Sequence, residues 1–443
     1  MTASLLSAEP KLAVAGVQKP RRRLLPRPIA LAAEPCCRFC GEALHATFVD
    51  LGTSPLCEDF VRPEHFNRAE PQYPLHARVC ANCFLVQVGE FLRPDEIFRD
   101  EYCYFSSYST TWLAHARRYT EQMVARFGIG PEQFVVEVAS NDGYLLQYFH
   151  ERQIPVLGIE PAGNVAEAAR RKGISTLSKF FGRRTARKVA TTYGQADLLI
   201  GNNVLAHVPD INDFVGGLKI MLKPGGVVTM EFPHLLRLVE QCQFDTIYHE
   251  HFSYLSFYTV ERIFAHHGLT LFDVEELPTH GGSLRIFARH ASDHSKPVEA
   301  RVGELRQHEI EAGVCTLAYY AEFGEAVKQT KRALLSFLIE AKNAGKTVVG
   351  YGAPGKGNTL LNYCGIGTDF LDYTVDANPH KHGLFLPGTR IPIYAPDRIR
   401  QTRPDFVLIL PWNLRAEIMQ QMADIRQWGG RFVVPIPTVE VYS

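Results

Sequence analysis

Phe134-Val135-Val136-Glu137-Val138-Ala139-Ser140-Asn141-Asp142-Gly143 is the stretch that decides the fold. It opens with a short apolar run of the kind buried on both faces of a parallel sheet, and a polar turn and a helical stretch follow at once. Val156-Leu157-Gly158-Ile159, Asp197-Leu198-Leu199-Ile200 and Gly226-Val227-Val228-Thr229-Met230 repeat the pattern, the last after the turn Lys223-Pro224-Gly225-Gly226. Strands alternating with helices predict a doubly wound α/β sheet with ligands at the carboxyl ends of its strands. Helical stretches over about 303–344 lead into a second such pattern at Thr347–Gly350, Tyr373–Asp376 and Phe406–Leu410, which predicts a further, smaller α/β layer.

The chain has 443 residues, enough for two or three domains. Lys+Arg and Asp+Glu both total 47, so no overall basic field exists to gather nucleic acid or an anionic membrane. Apolar runs stay short of the roughly 18 residues of a membrane span. Residues 1–33, with Arg21-Arg22-Arg23 and the interrupting Pro26 and Pro28, read as a disordered tail and not as an export signal. The expected domains are 34–105, rich in cysteine, 106–295, carrying the first sheet, and 296–443, set off by the polar break near 290–302.

Six of the ten cysteines fall between Cys36 and Cys83, a concentration that points to a metal site in a reducing, cytoplasmic compartment. Cys37-x-x-Cys40-Gly and Cys80-x-x-Cys83 are two knuckles whose spacing lets paired thiolates share one tetrahedral zinc ion. Four thiolates leave no open position, so one structural Zn²⁺ per chain is expected. Cys36 in place of Cys37 breaks the match between the knuckles, and Cys57 reads as a packed thiol.

After the first strand, Glu137-x-Ala139-x-Asn141-Asp142-Gly143 supplies a loop that lets backbone approach a cofactor, and Glu160, closing the second strand, supplies a carboxylate for a ribose. That pair suits S-adenosylmethionine. The absence of G-x-G-x-x-G weakens a nicotinamide reading. Tyr248-His249-Glu250-His251-Phe252 is dense in groups that move protons, and His207 follows the Asp197–Ile200 strand. Methylating a carbon requires a carbanion, and a neutral imidazole beside hydrogen-bond donors suits removal of a proton next to a carbonyl. A surface or metal-chelating role for these histidines stays open at this point.

Taken in order, the motifs resemble the sugar C-methyltransferases that act on nucleotide-linked 4-keto deoxy sugars. The resemblance runs from about residue 34 to the end, through the cysteine knuckles, Tyr102-x-Tyr104-Phe105-Ser106-Ser107, the Glu137–Gly143 loop, Tyr248–Phe252, and His280-Gly281-Gly282-Ser283-Leu284-Arg285. It continues through Gly350-Tyr351-Gly352-Ala353-Pro354-Gly355-Lys356-Gly357-Asn358, Asp376-x-Asn378-Pro379-x-Lys381 and Pro387-Gly388-Thr389. Gly355 stands where the family more often has alanine.

What the resemblance implies is a Rossmann-like methyltransferase domain flanked by a small N-terminal zinc-binding domain and a C-terminal second Rossmann-like α/β domain. It implies zinc on Cys37, Cys40, Cys80 and Cys83, and S-adenosylmethionine held by Glu137, Ala139, Asn141, Asp142, Gly143, Glu160 and Asn202. His251 becomes the general base for proton removal, expected at C3, with Tyr102, His207, Tyr248 and Glu250 around the sugar. His249, Ser283, Gly352, Lys356, Asn358 and Asp376 fall to the substrate, the C-terminal loop taking a nucleotide, expected to be dTDP, and its phosphates. The expected partner is thus a nucleotide-linked keto sugar as substrate of a monomeric chain, without nucleic acid or membrane. The competing readings are a nicotinamide-dependent sugar-nucleotide oxidoreductase with Asp376 as its ribose acid, and a non-enzymatic zinc-containing binding protein.

Overall fold

Alternating apolar runs fold as three sheets in the computed structural model, which describes residues 34–97 and 104–443. The tail 1–33 and Tyr102 lie outside the described residues. The chain divides after Pro35, and all three sheets belong to the unit Cys36–Ser443.

The central sheet has seven strands in the order Leu269–Leu277, Ser283–His290, Leu222–Pro233, Ala196–Asn202, Val135–Val138, Val156–Ile159 and Thr176–Leu177. The last five are mutually parallel, and Val135–Val138 in their midst is buried throughout, as its unbroken apolar run requires. Ser283–His290 runs antiparallel to both of its neighbours. This antiparallel edge is absent from the sequence expectation, because its residues alternate only weakly between apolar and polar. Its hairpin turn, residues 279–282, therefore returns to the carboxyl edge of the parallel strands. Lys223–Gly226 forms a register shift inside Leu222–Pro233, with Ala196 opposite Leu222 and Leu198 opposite Val227.

The N-terminal sheet is antiparallel and joins Ala46–Ser54, Tyr73–Val79 and Val86–Val88 to a strand from far along the chain, Ser253–Tyr254. The C-terminal sheet runs Ile393–Tyr394, Thr374–Val375, Val348–Tyr351, Phe406–Ile409, Arg431–Val434 and Glu440–Tyr442, parallel except for the last.

Two helices show how sequence places the site. Thr110–Phe127 starts where the Ser109 hydroxyl accepts from Trp112 N at 3.2 Å, and it stops at Gly128 in the left-handed region. Its buried stripe, His115, Ala116, Tyr119, Thr120 and Met123, lies against the sheet. Ala300–Ala312 follows the polar break and buries Val302 and Leu305 in the core of the central sheet. Its Glu309 accepts the backbone N–H groups of Phe257 and Tyr258, both at 2.7 Å, at the start of the helix Phe257–His266. The N-terminal sheet packs into a core shared with the C-terminal strands and the helix Phe323–Asn343, where Phe48 and Phe323 stack at 4.3 Å between ring centres. No helix among the described residues is long and apolar enough to cross a membrane.

Candidate active site

The loop after Val135–Val138 departs from ordinary backbone at alternate residues: Ala139, Asn141 and Gly143 have φ of 55°, 48° and 77°. Two of these are not glycine, and such strain persists only where surrounding contacts fix it. Ala139 N bonds Ile159 O at 2.8 Å. The Glu160 carboxylate accepts from Asn141 N at 3.0 Å and Ala162 N at 2.9 Å. Burial nevertheless pushes Glu160 up to about 7. Asn141 also holds the preceding segment, its Oδ1 accepting from Ser106 N at 2.9 Å and its Nδ2 donating to Tyr104 O at 3.2 Å. Lys172 bridges Asp142 Oδ2 and Ser107 Oγ at 2.9 and 2.7 Å.

Polar atoms around this loop stand buried without protein partners: Ser140 Oγ, Asp142 Oδ1, Asn202 Oδ1 and Asn203 Oδ1. Such a concentration, normally costly, fits a pocket whose ligand supplies the missing hydrogen bonds. Glu137 lies fully buried below it beside Tyr144, and burial pushes its carboxyl well above the usual range. The residues present therefore fit S-adenosylmethionine.

Across the carboxyl edge lies the run Tyr248–Phe252. The His251 Nδ1 is 2.8 Å from the Thr246 carbonyl. A carbonyl only accepts, so Nδ1 carries the proton and Nε2 keeps its lone pair. The ring lies 4.0 Å from the Tyr248 ring and 4.5 Å from His207, centre to centre. Burial, with the neighbouring His207 and Lys356, holds His251 well below the usual imidazole range. Burial likewise pushes His207 and His280 down to about 4. Three neutral imidazoles thus stand near one another at neutral pH. Glu250 is buried with its Oε1 3.7 Å from the Cys57 thiol. His249 points the other way, its Nε2 3.2 Å from Pro74 O and its ring against Tyr73. Ser283 Oγ donates to Thr279 O at 2.9 Å, within its own turn.

The C-terminal loop is closed by the protein's own acids. Asp376 accepts from Ala353 N at 2.7 Å and Asn378 N at 2.8 Å, and Lys381 donates to Ala353 O at 2.8 Å. Glu58, from the N-terminal segment, lies beside Gly355. Gly352 sits at φ 94° with Pro411 so close that a Cβ would lie 2.5 Å away. The helix Gly355–Cys364 then leans on the turn before the His251 run, where Thr359 Oγ1 donates to Ile247 O at 3.1 Å. Lys356 donates to Asn413 Oδ1 at 2.8 Å, 4.6 Å from the Trp412 ring. Asn358 is buried with both amide atoms unpartnered.

The four knuckle thiols converge, their sulfurs all within 4.8 Å of one another. Cys37–Cys83 and Cys40–Cys80 are each 3.5 Å apart and Cys40–Cys83 is 3.7 Å. A tetrahedral zinc with bonds of about 2.3 Å sets sulfurs about 3.8 Å apart, so the cage fits that ion. Gly41 and Phe84, both at positive φ, follow the two knuckles and close their turns, with Gly41 N bonding Cys37 O and Phe84 N bonding Cys80 O. Cys36 is exposed outside the cage and Cys57 is a buried thiol, as the spacing implied.

Several participants carry no motif. His115, Arg285 and Thr279 all meet Glu231, at 2.8, 2.8 and 2.9 Å. Burial works to raise Glu231, but the His115 bond and the Arg285 charge outweigh it and hold the group at about 2. Trp112 stacks on His115 at 4.9 Å and meets His280 edge-on at 5.2 Å. His280 and Arg285 sit in a quoted motif and were reachable from it, whereas Trp112 and His115 look like an ordinary amphipathic stripe.

Three family profiles match in order: "Putative zinc binding domain" over residues 37–98, "Methyltransferase domain" over 112–274 and "C-methyltransferase C-terminal domain" over 278–437. C-methyltransferase NovU of Streptomyces niveus is 35% identical over 408 residues, 92% of this chain and 96% of that protein. Among solved structures, the PH0226 protein of Pyrococcus horikoshii OT3 covers 44% of this chain and 99% of its own at 16% identity and a TM-score of 0.36. Magnesium protoporphyrin IX methyltransferase from Synechocystis PCC 6803 with bound SAM covers 45% and 99% at 15% identity and a TM-score of 0.33. A relative of that identity matched along nearly its whole length places the chain in the S-adenosylmethionine-dependent C-methyltransferase family, as an enzyme with an N-terminal zinc-binding domain.

Proposed function

We propose that this enzyme methylates carbon 3 of a dTDP-linked 4-keto-6-deoxy sugar through an enolate generated by His251. The observation that carries the reading is the Thr246 anchor: with Nδ1–H donated to a carbonyl at 2.8 Å, Nε2 is a neutral base aimed away from its own backbone. S-adenosylmethionine, held at Glu160 and the Ala139–Gly143 loop, supplies an electrophilic methyl group when bound. His251 takes the proton beside the ketone, Tyr248 and His207 orient the sugar ring, and Glu250 holds a hydroxyl. Asn202, at the end of its strand, and Asp142 serve the cofactor. A C–H bond next to a carbonyl is acidic enough for an imidazole only while the oxygen is stabilised, which is why the site gathers donors.

The domain limits 34–105, 106–295 and 296–443 are proposed as working boundaries for this assembly. The test is incubation with S-adenosylmethionine and a panel of 4-keto nucleotide sugars, with the product's new C–CH₃ located by NMR. The expected outcome is a methyl on carbon 3, lost in His251→Asn. Methyl transfer to oxygen, or an undiminished rate in His251→Asn, overturns the reading.

A further inference from the structure

The Gly350–Asn358 loop reads in the sequence as a phosphate cradle, yet two carboxylates already face it. Asp376 takes Ala353 N, the Glu58 carboxylate lies beside Gly355, and both acids lie within 4.0 Å of the single ammonium of Lys381. A diphosphate there meets two carboxylates and one cation already engaged, so electrostatics disfavours it. The loop instead acts as a brace, Asp376 and Lys381 gripping the Ala353 N–H and carbonyl from either side.

What the brace holds is the start of the helix Gly355–Cys364, and Lys356 with it. Thr359, one turn on and on the same face, bonds Ile247 O, so this face abuts the turn that leads into Tyr248 and His251. Asp245 lies in that turn, next to the Thr246 whose carbonyl orients His251. It is fully buried, its Oδ2 accepts from Trp412 Nε1 at 2.7 Å, and its Oδ1 has no partner. The Lys356 ammonium sits 4.6 Å from the same Trp412 ring. Trp412 in turn packs on Gly281, where a Cβ would lie 2.5 Å from the indole, and so touches the turn carrying His280. Lys356, Asp245 and Trp412 thereby tie together the turns that carry His251 and His280. Among the described residues Lys356 has one hydrogen-bond acceptor, Asn413 Oδ1, for its three N–H bonds. Its charge is felt at both His251 and His280, which it helps keep neutral.

We propose that Lys356 is a catalytic residue of the methylation site, its ammonium meeting the sugar's keto oxygen as that oxygen becomes an enolate, with Asp245 and Trp412 as positioning residues. The inference rests on the keto-sugar reading above. In the step concerned, the C–H bond beside the ketone breaks and its proton goes to His251 Nε2. The freed electron pair forms the C=C bond, and the carbonyl π pair moves onto oxygen, where Lys356 faces it. Reversal of the step returns a solvent-derived proton to carbon, so no other reactant is required.

The experiment follows deuterium entry at the carbon alpha to the ketone of a dTDP-linked 4-keto-6-deoxy sugar, by NMR in D₂O, without any methyl donor. Lys356→Met is expected to slow exchange at saturating sugar by about 100-fold, the usual loss of one oxyanion donor. Affinity for dTDP alone, measured by calorimetry, is expected to change less than about twofold, and retained dTDP binding also reports a folded protein. If the methionine variant does not fold, Lys356→Gln, which keeps a polar contact with Asn413 without the charge, carries the same expectation. Undiminished exchange in the variant overturns the proposal, as does a tenfold loss of dTDP affinity with normal exchange, which assigns Lys356 to phosphate. Wild-type protein that exchanges no keto-sugar proton overturns the sugar reading itself, an outcome distinct from either.

Discussion

Lowering the pH from 7 to 5 tests the electrostatics of the site most directly. Free imidazoles titrate near 6.5, so at pH 5 an unfolded chain carries each histidine roughly 97% protonated. His207 and His280, held at about 4 chiefly by burial, would be only about 9% protonated in the folded protein. A group whose folded value is depressed gives stability that is complete above its unfolded value and is lost as pH falls toward the folded one. The window therefore opens at 6.5 and closes near 4, and each imidazole withdraws about 2 kcal/mol at pH 5 relative to neutral pH. Asp245 and Glu160, raised to about 6 and 7 by burial, act in the opposite sense, so total stability alone would mislead. The assay is a pH titration of ¹³Cε1-labelled histidine by NMR, with the signals assigned through His207→Gln and His280→Gln. Those two signals are expected to stay at their neutral shifts down to about pH 5. A midpoint near 6.5 for either would refute the reasoning, because it would mean that water reaches the ring and that the three imidazoles are not kept neutral by the site.

Cys40→Ala is expected to release the metal and lower the thermal midpoint before any purely catalytic defect shows. Structural zinc contributes on the order of 10 kcal/mol in small domains, and metal analysis beside thermal unfolding checks it; a zinc-free variant with unchanged melting would contradict a structural role. Arg285→Met strands the buried Glu231 charge and should destabilise by about 3–5 kcal/mol in chemical denaturation. Adding Glu231→Gln to it should recover most of that loss, and an additive double variant would show that the pair is not coupled. Gly281→Ala meets Trp412 and Gln243 within 2.7 Å at φ 90°, so a loss of at least about 2 kcal/mol is expected, visible as a lower thermal midpoint.

Legibility in the sequence followed the reach of each signal. Val135–Val138 and Val156–Ile159 form the strands that their apolar runs predict, because a strand buried on both faces needs nothing but those residues. The cysteine cage was equally legible, since each knuckle is a local turn. The partner of Val86–Val88 was not, because Ser253–Tyr254 is two residues long and carries no periodicity. Lys356 illustrates the harder case. Glycines beside a lysine suggest phosphate, and only the fold reveals that Asp376 already occupies the Ala353 amide and that Glu58 stands beside Gly355.

His251 is held from three directions, which, on the proposal that it is the base, explains why so short a run needs so large a framework. Its ring is fixed by Thr246 O within the central domain. Its backbone continues into Ser253–Tyr254, which pairs with Gln87 and Val86 a few residues beyond Cys83, while Val88 N bonds Phe252 O at 3.2 Å. The second knuckle is itself tied to the central domain through Thr259 Oγ1 to Cys83 O at 3.0 Å. On the remaining side, Thr359 of the C-terminal helix bonds Ile247 O. Loss of zinc therefore leaves the strand after His251 without an ordered neighbour, and loss of the C-terminal brace frees the turn before it. If His251 is the base proposed above, it tolerates displacement of neither, because proton transfer weakens steeply with misplacement. On that proposal zinc would reach the chemistry by this route, through the hydrogen bonds of a short strand and without touching a reacting atom.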